Sequence, residues 1–179
     1  MKLKGHAQPG NDAVLVLGID PGIAITGYGL LKMENGRYSA LDYGCLRTPA
    51  GQKLPQRLLA VFQGICTIID QYKPGIMAVE QLFFCKNIRT ATQVGESRGA
   101  ILTAAAVHNI PIAEYTPLQV KQAVAGYGRA EKKQVQQMVT MILKLAKPPT
   151  PDDAADALAV ALCHLHSKRW HEAIGKLDG

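Results

Sequence analysis

A chain of 179 residues, 47% apolar and 19% charged, reads as a single domain able to bury a full core, which excludes wholesale disorder. Its net charge of +6 points to an anionic partner, and most of that charge lies between Thr116 and Lys147, where Lys121, Arg129, Lys132, Lys133, Lys144 and Lys147 face one acid, Glu131. The cysteines Cys45, Cys66, Cys85 and Cys163 form no CxxC pair, and no apolar run approaches the roughly 18 residues of a membrane span. Reduced thiols in a cytoplasmic protein are therefore expected.

Residues 1–12 are polar and aperiodic, so they are expected to be a disordered extension. A domain over 13–167 follows, with a partly ordered tail over 168–179. Val14 to Asp20 is short, β-branched and apolar, a first strand. Pro21-Gly22 turns the chain into a second strand over 24–33, and Asn35-Gly36 is a hairpin signal leading to a third over 37–48. The period then changes. Leu58, Val61, Phe62, Ile65, Ile68, Ile69 and Tyr72 recur at helical spacing from Pro55 to Tyr72, and Lys73-Pro74-Gly75 ends that helix.

"IMAVE" (76–80) is a short buried strand ending on Glu80, and a helix rich in Ala and Gly is expected over 91–107. "IPIAEY" (110–115) is a fifth strand. Thr116, Pro117 and Gln119 form a helix start with a capping box, and Gly126 ends that helix. Amphipathic spacing predicts another helix over Lys132–Leu145, and a last one runs from about Pro151 to His166 with Thr150 as its cap. Three meandering strands followed by strands alternating with helices predict an α/β fold with a mixed sheet covered by helices.

Acids fall at element ends in that scheme. Asp20 closes the first strand and Glu80 the fourth, while Asp153 and Asp156 share a face of the last helix. Ordinary explanations serve Asp20 and Asp153 best, whereas Asp156 lies further into the helix in line with Val160 and Cys163, and Glu80 has no capping or turn duty. Asp before Pro-Gly is a common turn residue, and acids in a first helical turn oppose the helix dipole. Convergent carboxylates repel one another unless cations neutralise them, and hard oxygen donors favour Mg²⁺ or Mn²⁺. Two such ions can assist phosphodiester hydrolysis. The segment "LFFCKNIR" sets Phe83 and Phe84 beside Lys86 and Arg89, a pairing that suits splayed nucleic acid, though adjacent phenylalanines are more often core. Lys121 and Lys132 are either solvated helix charges or phosphate contacts. His164 and His166 are spaced wrongly for a shared metal on one helical face.

The motifs "GIDPGIAITGYG", "AVEQLFFCKN", "EYTPLQVKQAVAGYGRAEKKQVQ" and "DDAADALAVALCH" resemble those of the RuvC family, bacterial Holliday-junction resolvases. The resemblance covers roughly residues 14 to 166 with the motifs in family order. It implies a ribonuclease-H-like five-stranded sheet, three antiparallel strands then two parallel, in a homodimer that nicks four-way DNA junctions in pairs with two Mg²⁺ or Mn²⁺ ions per site. It further implies that Asp20, Glu80, Asp153 and Asp156 bind metal, with Asp153 rather than its neighbour Asp152 as the third acid. Lys121 and Lys132 would act near the scissile phosphate, and Phe83, Phe84, Lys86, Asn87, Arg89 and Lys133 would meet DNA. Contact with the branch-migration proteins RuvA and RuvB is implied too.

Two other readings compete. An actin/Hsp70-type ATPase also begins with a strand, an Asp and a Gly-rich hairpin, but it clamps nucleotide between two such domains. A non-catalytic junction-binding module would bind DNA without cutting it.

Overall fold

Period-two alternation along the first strand sorts its side chains into two layers and so decides where the acids go. The computed structural model describes residues 13–82 and 88–175, and the side chains of all these except 88, 89 and 168–175. In chain order the elements are β1 (Val14–Asp20), β2 (Ile25–Glu34), β3 (Arg37–Arg47), α1 (Leu54–Tyr72), β4 (Ile76–Glu80), α2 (Ile88–Val107), β5 (Ile112–Tyr115), α3 (Pro117–Ala125), α4 (Lys132–Ile142) and α5 (Asp152–Gly175). The strands form one sheet in the order β3-β2-β1-β4-β5. β1–β2 and β2–β3 pair antiparallel, and β1–β4 and β4–β5 pair parallel, which is the mixed sheet expected.

Leu17 and Ile19 of β1 and Met77 and Val79 of β4 pack with Ile65, Ile69 and Ile101 of α1 and α2. Val16 and Ala78 face the other way, into a cluster with Leu158 and Leu162 of α5 and with Val120, Val135 and Val139 of α3 and α4. Continuing the alternation from Val16 through Gly18 to Asp20, and from Ala78 to Glu80, puts both acids on the α5 side, at the carboxyl ends of adjacent parallel strands. The buried-looking first strand thus ends on a charge at the rim of the core.

α5 reaches this rim because the sheet beneath it is bare. A Cβ at Gly18 would run into the carbonyl oxygen of Ala157, and one at Gly27, the register partner of Asp20, into that of Asp153. Gly27→Ala is therefore expected to push the start of α5 off the sheet. Overpacking of this kind costs about 1–3 kcal/mol. It would be read as a lower urea midpoint with an unchanged m-value.

The punctuation residues act as the sequence suggests. Asn35 and Gly36 take positive φ (51° and 73°) at the β2–β3 hairpin. Lys73 adopts the left-handed conformation at the end of α1, donating its amide to the Ile69 carbonyl. The Thr116–Gln119 capping box and Gly126 bound α3 as predicted.

Four helix boundaries differ from the sequence reading. α2 begins at Ile88 rather than 91, and α4 ends at Ile142 rather than Leu145 because Lys144 turns to positive φ (52°) and the Leu145 amide bonds back to Thr140. α5 begins at Asp152, so Pro151 and not Thr150 precedes it. It continues to Gly175 rather than stopping near His166, since 167–174 contain neither Gly nor Pro. The disorder expected of residues 1–12 lies outside the described residues. No described helix is long and apolar enough to cross a membrane.

Candidate metal centre

Asp20, Glu80 and Asp156 line one cleft of about 360 Å³ together with Lys121 and Lys132, and its apolar wall is Pro117, Val120, Val135 and Ala159. The floor is the rim of β1 and β4, one side is the first turns of α5, and the facing side is α3 and α4. The sequence motifs thus meet in one place although they come from opposite ends of the chain.

The electrostatics are those of crowded acids. Burial pushes Asp20 up to about 8, and the charges of Glu80, Asp156 and Asp153 add to the rise against the opposing pull of Lys132. Glu80 is raised to about 7 by burial and by Asp156, with Lys132 and Lys121 opposing. Burial also raises Asp156, although its hydrogen bond to Lys132 pulls it down. Asp153 is not among the residues lining the cleft; its backbone presses on Gly27 and its charge acts on Asp20 and on Cys45, beyond Gly27 on β3.

Lys132 is the local cation. Its Nζ lies 2.7 Å from Asp156 Oδ2 and 2.8 Å from Asp152 Oδ2. Burial disfavours its charge, but hydrogen bonds to both carboxylates prevail and raise its pKa. Asp152, held below the usual carboxylate range by that bond, is 52% exposed, whereas Asp156 is 24% exposed.

This donor set suits a hard divalent cation. All the acids offer oxygen, and the neighbouring Cys45 thiol is kept neutral because burial, and after it the charge of Asp153, pushes it up to about 11. Among the described residues no three such side chains already stand as a closed ligand set. Lys132 neutralises Asp156, so its ammonium would have to move aside for a cation to be held by that carboxylate.

The doubled acid can be separated by substitution. Asp152→Asn removes one surface ion pair, worth at most about 1 kcal/mol, and is expected to leave cleavage within a few-fold. Asp153→Asn is expected to lower it by orders of magnitude. The reverse order in a single-turnover assay would make Asp152 the third acid.

Polar ties that the sequence did not disclose fix the turn after Asp20. The Gly22 carbonyl accepts from Thr26 Oγ1 (2.5 Å) and from Ser97 Oγ of α2 (3.0 Å), both residues being fully buried. Thr48 donates its amide to Ala24 and its hydroxyl to Ile23, and Arg57 Nε donates to that hydroxyl at 2.8 Å. A Ser or Thr in a helix or strand carries no signal of a partner 75 residues away.

Of the other expected residues, Lys133 is exposed beside Lys132 on α4. Phe83, Phe84, Lys86 and Asn87, and the side chain of Arg89, lie outside the described residues. His164 and His166 serve separate structural bonds, Nδ1 of the former meeting Tyr115 Oη at 2.8 Å and Nδ1 of the latter donating to the Ala123 carbonyl at 2.9 Å.

A five-stranded sheet in this order with helices on both faces, and acids at the ends of its two inner parallel strands, defines a ribonuclease-H-like protein. The model of the crossover junction endodeoxyribonuclease RuvC matches residues 16–164. A RuvC of Syntrophomonas wolfei is 58% identical over 154 residues, 86% of this chain and 90% of that one. A RuvC of Clostridioides difficile is 51% identical over 166 residues, 93% and 98% of the two chains. The solved Thermus thermophilus RuvC superposes with a TM-score of 0.82 at 35% identity, covering 88% of this chain and 97% of that one. A second structure of the Thermus protein, in complex with a Holliday junction substrate, gives 0.84. The chain belongs to the RuvC family of crossover junction endodeoxyribonucleases. That membership sets aside the ATPase and the non-catalytic readings.

Proposed function

We propose that this crossover junction endodeoxyribonuclease cuts four-way DNA through a divalent-metal centre held by Asp20, Glu80, Asp153 and Asp156. The observation that carries the reading is the convergence of Asp20, Glu80 and Asp156 on one cleft whose remaining charged residues are Lys121 and Lys132. Mg²⁺ or Mn²⁺, two per site, would supply an activated water and offset charge on the leaving oxygen.

The chain's own residues do the rest. Glu80 and Asp20, raised first by burial and then by neighbouring acids, would give up protons when divalent cations are held there, so that the acids are ionised in the reaction. With a cation held at Asp156, Lys132 would keep only its weak, exposed pairing with Asp152 and would turn its ammonium to the scissile phosphate. Lys121 faces the same cleft from α3 and adds charge where the phosphorane develops. Val120, Val135 and Ala159 form an apolar back wall that limits water and strengthens these interactions.

A two-fold dimer would present two such centres to strands of like polarity, giving paired symmetric nicks. Lys133 and the aromatic and basic residues of 83–89 would meet the junction arms, and RuvA and RuvB would be the partners that deliver the substrate. The test uses a synthetic four-way junction with each strand labelled in turn, incubated with Mg²⁺, Mn²⁺ or chelator. Symmetric nicks on two opposed strands that require metal are expected. Cleavage in chelator, or equal cutting of linear duplex, would overturn the proposal.

A further inference from the structure

The turn joining α3 to α4 carries an apolar surface that the cleft chemistry does not use. Tyr127 is 47% exposed and Leu118 is 58% exposed. Leu118 directly follows Pro117, a wall of the cleft, and its Cδ1 fills the space where a Cβ on Gly128 would stand. The first turn of α3 and the loop around Gly128 therefore form one patch beside the site.

The tyrosine in this patch is fixed. Its Oη donates to Gln134 Oε1 at 2.7 Å, and the same oxygen accepts the Glu131 amide at 2.8 Å at the start of α4. Gln134 lies between Lys132 and Val135, both of which line the cleft. An exposed ring held in this way has already lost the freedom that binding would otherwise remove. Lys121, Arg129, Lys132 and Lys133 all lie within six residues of it in sequence, in the most basic part of the chain, and Lys121 and Lys132 line the neighbouring cleft. An apolar surface set in so basic a segment, beside a cleft that holds two lysines, is a poor match for an apolar protein partner. It suits a ligand with a flat π face attached to an anion, which is a nucleotide.

We propose that Tyr127, supported by Leu118, is a stacking platform for one unpaired nucleobase next to the scissile phosphate. The inference rests on the junction-cleaving reading above and adds a base-binding position to its phosphate-binding cleft. A stacked base there would make Tyr127 a contributor to which nucleotides are tolerated at the cut.

The test places 2-aminopurine at successive positions within three nucleotides of the mapped nick and follows its fluorescence in chelator, over a range of salt. The unaltered protein and Tyr127→Phe are expected to quench or shift the probe at one or two positions. Tyr127→Leu is expected to lose that signal and to bind about tenfold more weakly, with its salt dependence unchanged. Lys133→Ala, by contrast, should lower the slope of log K against log salt by about one. Equal signal and affinity for Tyr127→Leu and the unaltered protein would overturn the platform. So would a Tyr127→Phe as weak as Tyr127→Leu, which would assign the side chain to its Gln134 bond alone. Nicking of the same junction by the unaltered protein in Mg²⁺ tests the underlying reading separately.

Discussion

Asp20→Asn is expected to remove junction cleavage by about a thousandfold or more, roughly 4 kcal/mol of transition-state stabilisation, while making the metal-free protein more stable. The two effects have one cause. Asp20 is buried among Glu80, Asp156 and Asp153, a placement that suits a cation and is unfavourable without one. In the folded chain its carboxyl holds a proton up to about pH 8, whereas its ordinary value is 3.8. Between those values the folded state binds more protons than the unfolded state, so stability falls as pH rises through that window. The penalty accumulates at up to about 1.4 kcal/mol per pH unit. Asparagine keeps the shape and removes the titration. Urea midpoints in chelator at pH 5 and pH 8 should separate widely for the unaltered protein and less for the variant. Equal separation would show that Asp20 is solvated and not crowded.

Glu80→Gln should separate binding from chemistry. Glu80 ends β4 with its side chain in the cleft, and β4 is held by its pairing to both β1 and β5, so the amide leaves the strand intact. Cleavage is expected to fall by at least roughly a hundredfold, comparable to the loss of one strong stabilising group. Junction affinity should stay level or rise, because one negative charge has left a surface that meets phosphate. A gel-shift titration alongside a single-turnover assay reads both quantities. Undiminished cleavage would remove Glu80 from the centre.

The fold was legible in the sequence where local chemistry and tertiary demand agree. The Asn35-Gly36 hairpin, the Pro74-Gly75 stop after α1 and the Thr116 cap were each marked by residue types suited to that duty. The faces of Asp20 and Glu80 follow from period two once each strand is placed. Helix ends were legible only where a breaker marks them. α5 runs past His166 because nothing in 167–174 stops it, and α4 ends early at a left-handed lysine, a conformation that lysine does not advertise.

The site was legible as a set of acids but not as a balance of charges. Lys132 read as a helix charge or a phosphate contact, and only the packing of α4 against α5 shows its ammonium shared between Asp152 and Asp156. The doubled acid is separated by burial, Asp152 being exposed and Asp153 half-buried, which spacing alone could not do. The ties on Gly22 and Ile23 were hidden for a related reason: Ser97, Thr26 and Thr48 are common residues whose partners are set by the tertiary fold.

The central claim is that these crowded acids are a divalent-cation site, and calorimetric titration of Mn²⁺ into the DNA-free protein tests it most directly. Performed at pH 7 in two buffers of different ionisation enthalpy, it counts the protons that leave as the metal binds. With Asp20 at about 8 and Glu80 at about 7, at least about one proton per protein chain is expected at pH 7, falling toward none at pH 9. Asp20→Asn should abolish or greatly weaken the binding. Absence of binding to the unaltered protein, or equal binding with the same proton count by Asp20→Asn, would contradict the account.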